Sequence, residues 1–277
     1  MPYHRTSPLF SSGPFDAFGP GSNNAEISDN GRTVIDLFGN DRFVISGNDN
    51  LLIDYFGNDR IEIRGNGNTV DAGFGDDVVR TFGNNTVVNG GGGDDRLFGG
   101  DGNVSLWGGR GNDVIRTGAG NDYALGGAGD DVTDTGSGLG IHFGGAGNDT
   151  FVIGADIVGN GQKDTVIALD FGNGSDRLQV APEILGDIAS ITEGKVDLVP
   201  VLAAYDADGL GVADVGARLA HTFLGAETFA EVAEFLSQFT PNESGQILVD
   251  ATIVTTNGGD TIIALGVTQD QLLAAVA

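Results

Sequence analysis

The chain of 277 residues has no cysteine, which excludes disulfides and thiolate metal sites. Basic residues are scarce as well. Thirteen Lys and Arg stand against 39 Asp and Glu, a formal net charge of −26 with a pI near 4.1. Such a surface repels a nucleic-acid backbone or an anionic membrane, and its natural counterpart is a cation. No apolar run approaches the length of a membrane span. The opening stretch "MPYHRTSPLFSSGPFDAFGPGS" has no charged segment followed by an apolar one, so no cleaved secretory leader is expected. There is no H-E-x-x-H zinc motif and no G-x-S-x-G nucleophile elbow, and His4, His142 and His221 belong to no catalytic constellation, so a non-enzymatic protein is expected. Against these absences, 40% of residues are hydrophobic, too many for an acidic disordered tail. Glycine is abundant at 48 residues, without the collagen period of three.

The glycines fall into a register. Residues 27–152, written in rows of nine, give fourteen rows without insertion or deletion. Row position 8 reads Val34, Phe43, Leu52, Ile61, Val70, Val79, Val88, Leu97, Leu106, Ile115, Ala124, Thr133, His142 and Phe151, of which eleven are large and apolar. From Gly90 onward the rows approach GGxGxDxUx, with U a large apolar residue. Glycine and Asx residues supply a tight turn, and xUx is a short strand with one inward side chain. One row buries nothing, but a stack encloses a narrow core. Two rows make a coil, so residues 18 apart lie one strand spacing, roughly 4.8 Å, above one another.

One edge of this stack carries Asp at row position 6 in every coil: Asp41, Asp59, Asp77, Asp95, Asp113, Asp131 and Asp149. The other edge has Arg32, Asn50, Asn68, Thr86, Val104, Asp122 and Gly140 there, with Asn30, Asn48, Asn66 and Asn84 forming an amide ladder at position 4. Carboxylates stacked at strand spacing repel by just under ~1 kcal/mol per pair even in bulk water. Carboxylates together with turn carbonyls are hard oxygen donors suited to Ca²⁺. The alternative is a metal-free solenoid whose turns merely favour Asn, Asp and Gly. It suits the Asn-rich edge, whereas a plain turn on the acidic edge would be better served by a neutral Asn.

The rows "GGGGDDRLF", "GGRGNDVIR", "GGAGDDVTD" and "GGAGNDTFV" resemble the repeats-in-toxin (RTX) family, closely over 90–152 and more loosely over 27–89. The resemblance implies a mainly all-β protein: a right-handed parallel β-roll (β-solenoid) followed by a β-rich C-terminal capping domain with a short helix. It also implies calcium sites between turns 18 residues apart. In each, the earlier turn gives the carbonyls of positions 2 and 4 plus its Asp, and the later turn the carbonyls of positions 1 and 3 plus its Asp. Carried over, the first gap uses Leu37, Gly39 and Asp41 with Asp54, Phe56 and Asp59, and the second Tyr55, Gly57 and Asp59 with Ala72, Phe74 and Asp77. The third uses Gly73, Gly75 and Asp77 with Gly90, Gly92 and Asp95, and the fourth Gly91, Gly93 and Asp95 with Gly108, Arg110 and Asp113. The fifth uses Gly109, Gly111 and Asp113 with Gly126, Ala128 and Asp131, and the sixth Gly127, Gly129 and Asp131 with Gly144, Ala146 and Asp149. Six ions along one edge follow, with at most one or two weak ions at Asp122 on the other. A last site would join Gly145, Gly147 and Asp149 to Asp164 and Asp170 of the segment resembling the family's roll cap. The early turns "DLFGND" and "DYFGND" depart from the leading glycine pair, so a distorted turn is expected there.

The resemblance divides the chain into an N-terminal segment 1–26, the roll 27–152, a capping segment 153–180 and a C-terminal domain 181–277. The end, "IIALGVTQDQLLAAVA", is similar to the uncleaved signals of family members exported by type I (ABC-transporter) secretion, implying an extracellular protein and that apparatus as a partner. "LGAETFAEVAEFLSQF" has helical spacing, and "ILVDATIVTTNGGDTIIALGV" reads as a hairpin turning at Asn257-Gly258-Gly259. "DADGLGVAD" (206–214) lacks the later carboxylates of a calcium loop and reads as an acidic turn. Trp107, Tyr123, Leu125, Ile141 and Phe143 fall on outward positions, an apolar strip expected to meet the chain's own 181–277 segment. Phe38, Phe56 and Phe74 make a second aromatic column, expected under "PLFSSGPFDAF". The alternative functions are a surface or polysaccharide-binding module, or an accessory module of a secreted enzyme. Ice binding is disfavoured, because turn position 3 carries Phe, Gly, Arg or Ala rather than the Thr of ice-binding relatives.

Overall fold

In the computed structural model the described residues are 15–134, 136–168, 176–197 and 248–265, with the backbone of 10–12 and isolated positions at 242–244, 246, 268 and 270. The helical spacing at 224–239, the acidic turn at 206–214 and the end of the chain from 271 lie outside them.

Two sheets run the length of the molecule. Strands that follow the acidic turns, from Asn24–Ile27 through Arg42–Ile45 to Thr150–Ile153 and Arg177–Val180, form a nine-stranded sheet. Strands that follow the other turns, from Phe15–Ala17 through Thr33–Ile35 to Thr165–Ala168, belong to a thirteen-stranded sheet. Within the roll every neighbour is parallel and 18 residues away: Arg42 pairs with Arg60, Arg60 with Val78, Val78 with Arg96 and Arg96 with Val114. The fold is thus a parallel β-roll, and its register extends one coil before residue 27, where Asn24 pairs with Arg42. After Val152 the interval changes, to 27 between Thr150 and Arg177 and to 26 between Leu139 and Thr165.

All fourteen position-8 side chains are buried, and none is more than 1% exposed. The column is narrowest at Ala124 and Thr133 and widens again at His142 and Phe151. His142 keeps its place there as a packed side chain. Its Nδ1 lies 2.9 Å from Thr133 Oγ1, its ring meets Phe151 edge-on, and burial pushes its pKa down to about 3.

Beyond the roll the thirteen-stranded sheet continues without a break. Thr261–Leu265 runs parallel to Thr165–Ala168 and forms a hairpin with Leu248–Thr256, turning where the sequence places the turn. Ile188–Asp197 adds a last antiparallel strand, and the short helix Pro182–Asp187 precedes it. The strip Trp107, Tyr123, Leu125, Ile141 and Phe143 is buried, so the chain itself covers it. The Phe38, Phe56 and Phe74 column is not covered: the rings stack on one another at 5.4 Å and stay about half exposed. Phe15–Ala17 instead adds a strand to the sheet beside Thr33–Ile35.

Candidate metal centre

The acidic edge is built by turns that pass the chain from one sheet to the other. In the later coils positions 2 and 4 take positive φ, as at Gly109 (110°) and Gly111 (122°). Only glycine fits at 111, because a Cβ there would collide with the Gly93 carbonyl of the coil before. The early coils differ. Leu37 and Tyr55 occupy position 2 without positive φ, and their strands end at Ile35 and Ile53, whereas Thr86–Gly92 and Val104–Arg110 run on through the turn.

Every carboxylate of the column points inward and is at most 3% exposed. Each is used in the same way. The backbone N–H of Asp41 donates to Asp59 Oδ1 at 2.6 Å, Asp59 to Asp77 at 2.7 Å, Asp77 to Asp95 at 2.8 Å and Asp95 to Asp113 at 2.7 Å. Asp113 donates to Asp131 at 2.7 Å and Asp131 to Asp149 at 2.9 Å. The second oxygen is left over: among the described residues no donor reaches the buried Oδ2 of Asp41, Asp59, Asp77, Asp95, Asp113 or Asp131. A buried acceptor without a partner costs ~1–3 kcal/mol, and more when charged. Burial, the largest cause, therefore pushes the carboxyl of Asp77 up to about 9 and those of Asp95 and Asp131 up to about 8, with neighbouring Asp charges adding to the shift. Asp41 and Asp113 rise to about 7, also chiefly through burial.

These leftover oxygens share a cradle with carbonyls. A Cβ built on Gly90 would run into Asp95 Oδ2 and lie 2.7 Å from the Gly108 carbonyl oxygen. The same crowding recurs at Gly108, with Asp113 Oδ2 and the Gly126 oxygen, and at Gly126, with Asp131 Oδ2 and the Gly144 oxygen. Position-1 glycine thus keeps open a space lined by one orphaned carboxylate oxygen and one carbonyl of the next coil. The position-3 carbonyls of Phe56, Phe74, Gly92, Arg110, Ala128 and Ala146 each accept an N–H from position 4 of the preceding coil and keep a second lone pair. An anionic, buried, all-oxygen cradle fits calcium.

The sequence-derived positions 41–149 come together as one column. Asp164 does not join it. Its Oδ1 accepts the Gly138 N–H at 2.9 Å and its Oδ2 the Asn160 amide at 2.6 Å, which places it on the opposite edge. Gly138 and Gly145 stand at opposite ends of one extended strand, roughly 23 Å apart at ~3.3 Å per residue, so no single ion spans that distance. Asp170 lies outside the described residues. The residue that continues the column is Asp176, whose Oδ1 accepts the Asp149 N–H at 2.9 Å. Its signal in the sequence is "GSDRL", a Gly-x-Asp before a strand. At the other end Asn23 heads the column, donating its N–H to Asp41 Oδ1.

The Asn-rich edge closes by different means. Asn48 N–H donates to Asn30 Oδ1 at 2.7 Å, Asn66 to Asn48 at 2.7 Å and Asn84 to Asn66 at 2.8 Å. Neutral amides satisfy those turns without charge. On that edge Asp122 has its Oδ1 bonded to the Val104 N–H at 3.0 Å, and burial pushes its carboxyl up to about 7.

Residues 89–124 and 107–139 match the family model of the RTX calcium-binding nonapeptide repeat (four copies). No curated protein matches the chain. The match falls on the coils whose position-1 glycines hold the cradles open, and the same column continues in register on either side of it. The coils over residues 89–139 are thus RTX-type calcium-binding repeats, set within a longer parallel β-roll.

Proposed function

We propose that this is a secreted, non-enzymatic protein whose roll folds on meeting extracellular calcium. The observation that carries the reading is the column of buried carboxylates, each with one oxygen committed to the backbone and six with the other left without a donor. At low calcium this column opposes folding. When calcium is plentiful, its binding energy becomes folding energy. Along the acidic edge the ions would lie in the six gaps between Asp41 and Asp149, held by the Asp side chains and the turn carbonyls named for each gap. Residues 153–180 and 181–277 would close and cap the roll 27–152, and type I secretion would carry the unfolded chain out by its C-terminal end.

A polysaccharide platform is the second reading, and the exposed Phe38, Phe56 and Phe74 favour it. The faces of these rings cover one another, at 7° and 14° between planes, and so leave mostly edges for a sugar. That weighs against it.

Far-UV circular dichroism in chelator, followed by separate titrations with Ca²⁺ and Mg²⁺, tests the first reading. A cooperative gain of β signal with Ca²⁺ alone is expected. A roll fully folded in chelator would overturn the calcium switch and return attention to the phenylalanine column.

A further inference from the structure

Position 1 of the acidic-edge turns is glycine at 90, 108, 126 and 144, alanine at 72, and aspartate at 36 and 54. In the later turns a side chain at this position would enter the cradle, as the collision of a Cβ on Gly90 with Asp95 Oδ2 demonstrates. Asp36 and Asp54 therefore put a carboxylate where the later coils keep space.

The geometry agrees. Asp36, Asp41 and Asp54 each bring a carboxylate oxygen within 4.8 Å of the other two. Oxygens facing each other across one Ca²⁺ ion lie about 4.6–5.2 Å apart, so the cluster has the span of a single ligand shell. Asp36 and Asp54 are 0% exposed and Asp41 3%. Asp36 is satisfied on both sides, its Oδ1 by the Leu37 N–H and its Oδ2 by the Asn23 amide, each at 2.7 Å. Asp54 commits Oδ1 to the Tyr55 N–H at 2.8 Å and lies beside the Asp59 carboxyl, and among the described residues no other side chain or backbone donor reaches the Oδ2 of Asp54 or of Asp41. Among the described residues the ion pairs go to Asp16, Glu62 and Asp250, and none reaches this cluster. Three buried carboxylates without a counter-charge form an arrangement that a cation completes.

We propose that the side chains of Asp36, Asp41 and Asp54 form a carboxylate cage for one hard divalent cation, Ca²⁺ foremost, at the N-terminal end of the edge. The proposal rests on the calcium reading of that edge and differs from it in the ligands. Asp36 and Asp54 add carboxylates at the position where the later turns have an open glycine. Because calcium affinity rises with the number of anionic ligands, this cage fills before the glycine cradles.

The test is stepwise titration of the full, calcium-free chain with Ca²⁺ by calorimetry and with Tb³⁺ by luminescence, since Tyr55 adjoins the cage as a sensitiser. The first equivalent of Tb³⁺ should light up under tyrosine excitation. Asp36→Asn with Asp54→Asn should weaken the first Ca²⁺ step by at least roughly tenfold while leaving the later steps and the calcium-saturated dichroism in place. Asp113→Asn should spare the first step. Tyr55→Phe should abolish the early emission without changing Ca²⁺ affinity. A double variant that keeps the first step overturns the proposal. If that variant does not fold in saturating calcium, Tyr55→Phe decides, because undiminished early emission places the tight ion elsewhere. A parent chain that binds no calcium at all sinks the reading of the whole edge, whereas a parent that fills and a double variant that matches it sink only the cage.

Discussion

The coils before residue 90 and those after it stack in one register, yet they close their acidic turns differently. In the early coils large residues fill the core, as with Phe43, Leu52, Ile61 and Ile63, and positions 1 and 2 of the turns carry Asp, Leu and Tyr where the later ones have glycine. A neutral amide ladder locks their opposite edge and runs on to Asn103 and Asn121 of the later coils. In the later coils Gly99 and Thr117 stand where the early coils bury Ile45 and Ile63, Ala124 and Thr133 join the core beside Leu97, Leu106 and Ile115, and the turns become glycine cradles. Glycine costs conformational entropy on folding and packs nothing, so the later coils have less to hold them when no ion is bound. The difference teaches that one repeat can divide its stability in two ways, between apolar packing and ion binding.

The largest expected effect comes from removing calcium. Hydrogen exchange in chelator should leave peptides from 40–70 several-fold better protected than peptides from 105–150, and calcium should raise the later set more. Equal protection in both would break the comparison. Next come substitutions at position 1. Gly108→Ala puts a methyl group against Asp113 Oδ2 and the Gly126 carbonyl, so it should cost ~2 kcal/mol of calcium-bound stability. Ala72→Gly should have the opposite sign and lower the calcium midpoint, read by dichroism during titration.

The pH response is also expected to be large and inverted. Asp77, Asp95 and Asp131 are pushed up from 3.8 to about 9, 8 and 8 in the metal-free fold. A carboxyl raised on folding contributes stability that is complete below its unfolded value and lost as pH rises through its folded value. The metal-free roll should therefore be most stable near pH 4 and weaken steadily towards pH 9, whereas the calcium-loaded roll, which needs ionised carboxylates, should weaken towards acid. His142, pushed down to about 3, works the other way: its contribution is complete above 6.5 and lost as pH falls from there through about 3, but it is one group against several. Urea melts of metal-depleted protein across this range would reveal the sign. The smallest effect belongs to the amide edge. Asn48→Ala removes an exposed bond to the Asn66 N–H and should cost ~0.5–1 kcal/mol, by the same amount in calcium and in chelator.

Most of the roll was legible because its register is arithmetic. A count of nine places Val34 through Phe151 inside and Asp41 through Asp149 in one column, and the sheets obey it. Counting fails where the interval fails. Beyond Val152 the steps are 26 and 27, so counting offers no guide there, and the resemblance to the family's roll cap put Asp164 on the wrong edge and passed over Asp176. The side chains of Asp36 and Asp54 were missed for another reason: at position 1 the sequence was read only for its carbonyl, while the direction of the side chain is set by the turn. Period-two alternation correctly sent Trp107 and Leu125 away from the roll core, but alternation carries no record of what covers a sheet.

The hydrogen bonds of the acidic column all point one way. Each Asp N–H is met by the carboxylate of the coil that follows it in sequence, and the last described acceptor is Asp176. A coil added at the N-terminal side of a finished stack finds its acceptor already in place, whereas one added at the C-terminal side leaves its own buried N–H waiting. The outer ladder runs in the opposite sense, from Asn58 to Asn40 and from Asp94 to Asp76, but it is exposed and water can serve its unmet groups. Only the buried ladder imposes a polarity. The buried ladder therefore has a direction: each coil's N–H is met by the coil that follows it, from Asn23 at one end to Asp176 at the other.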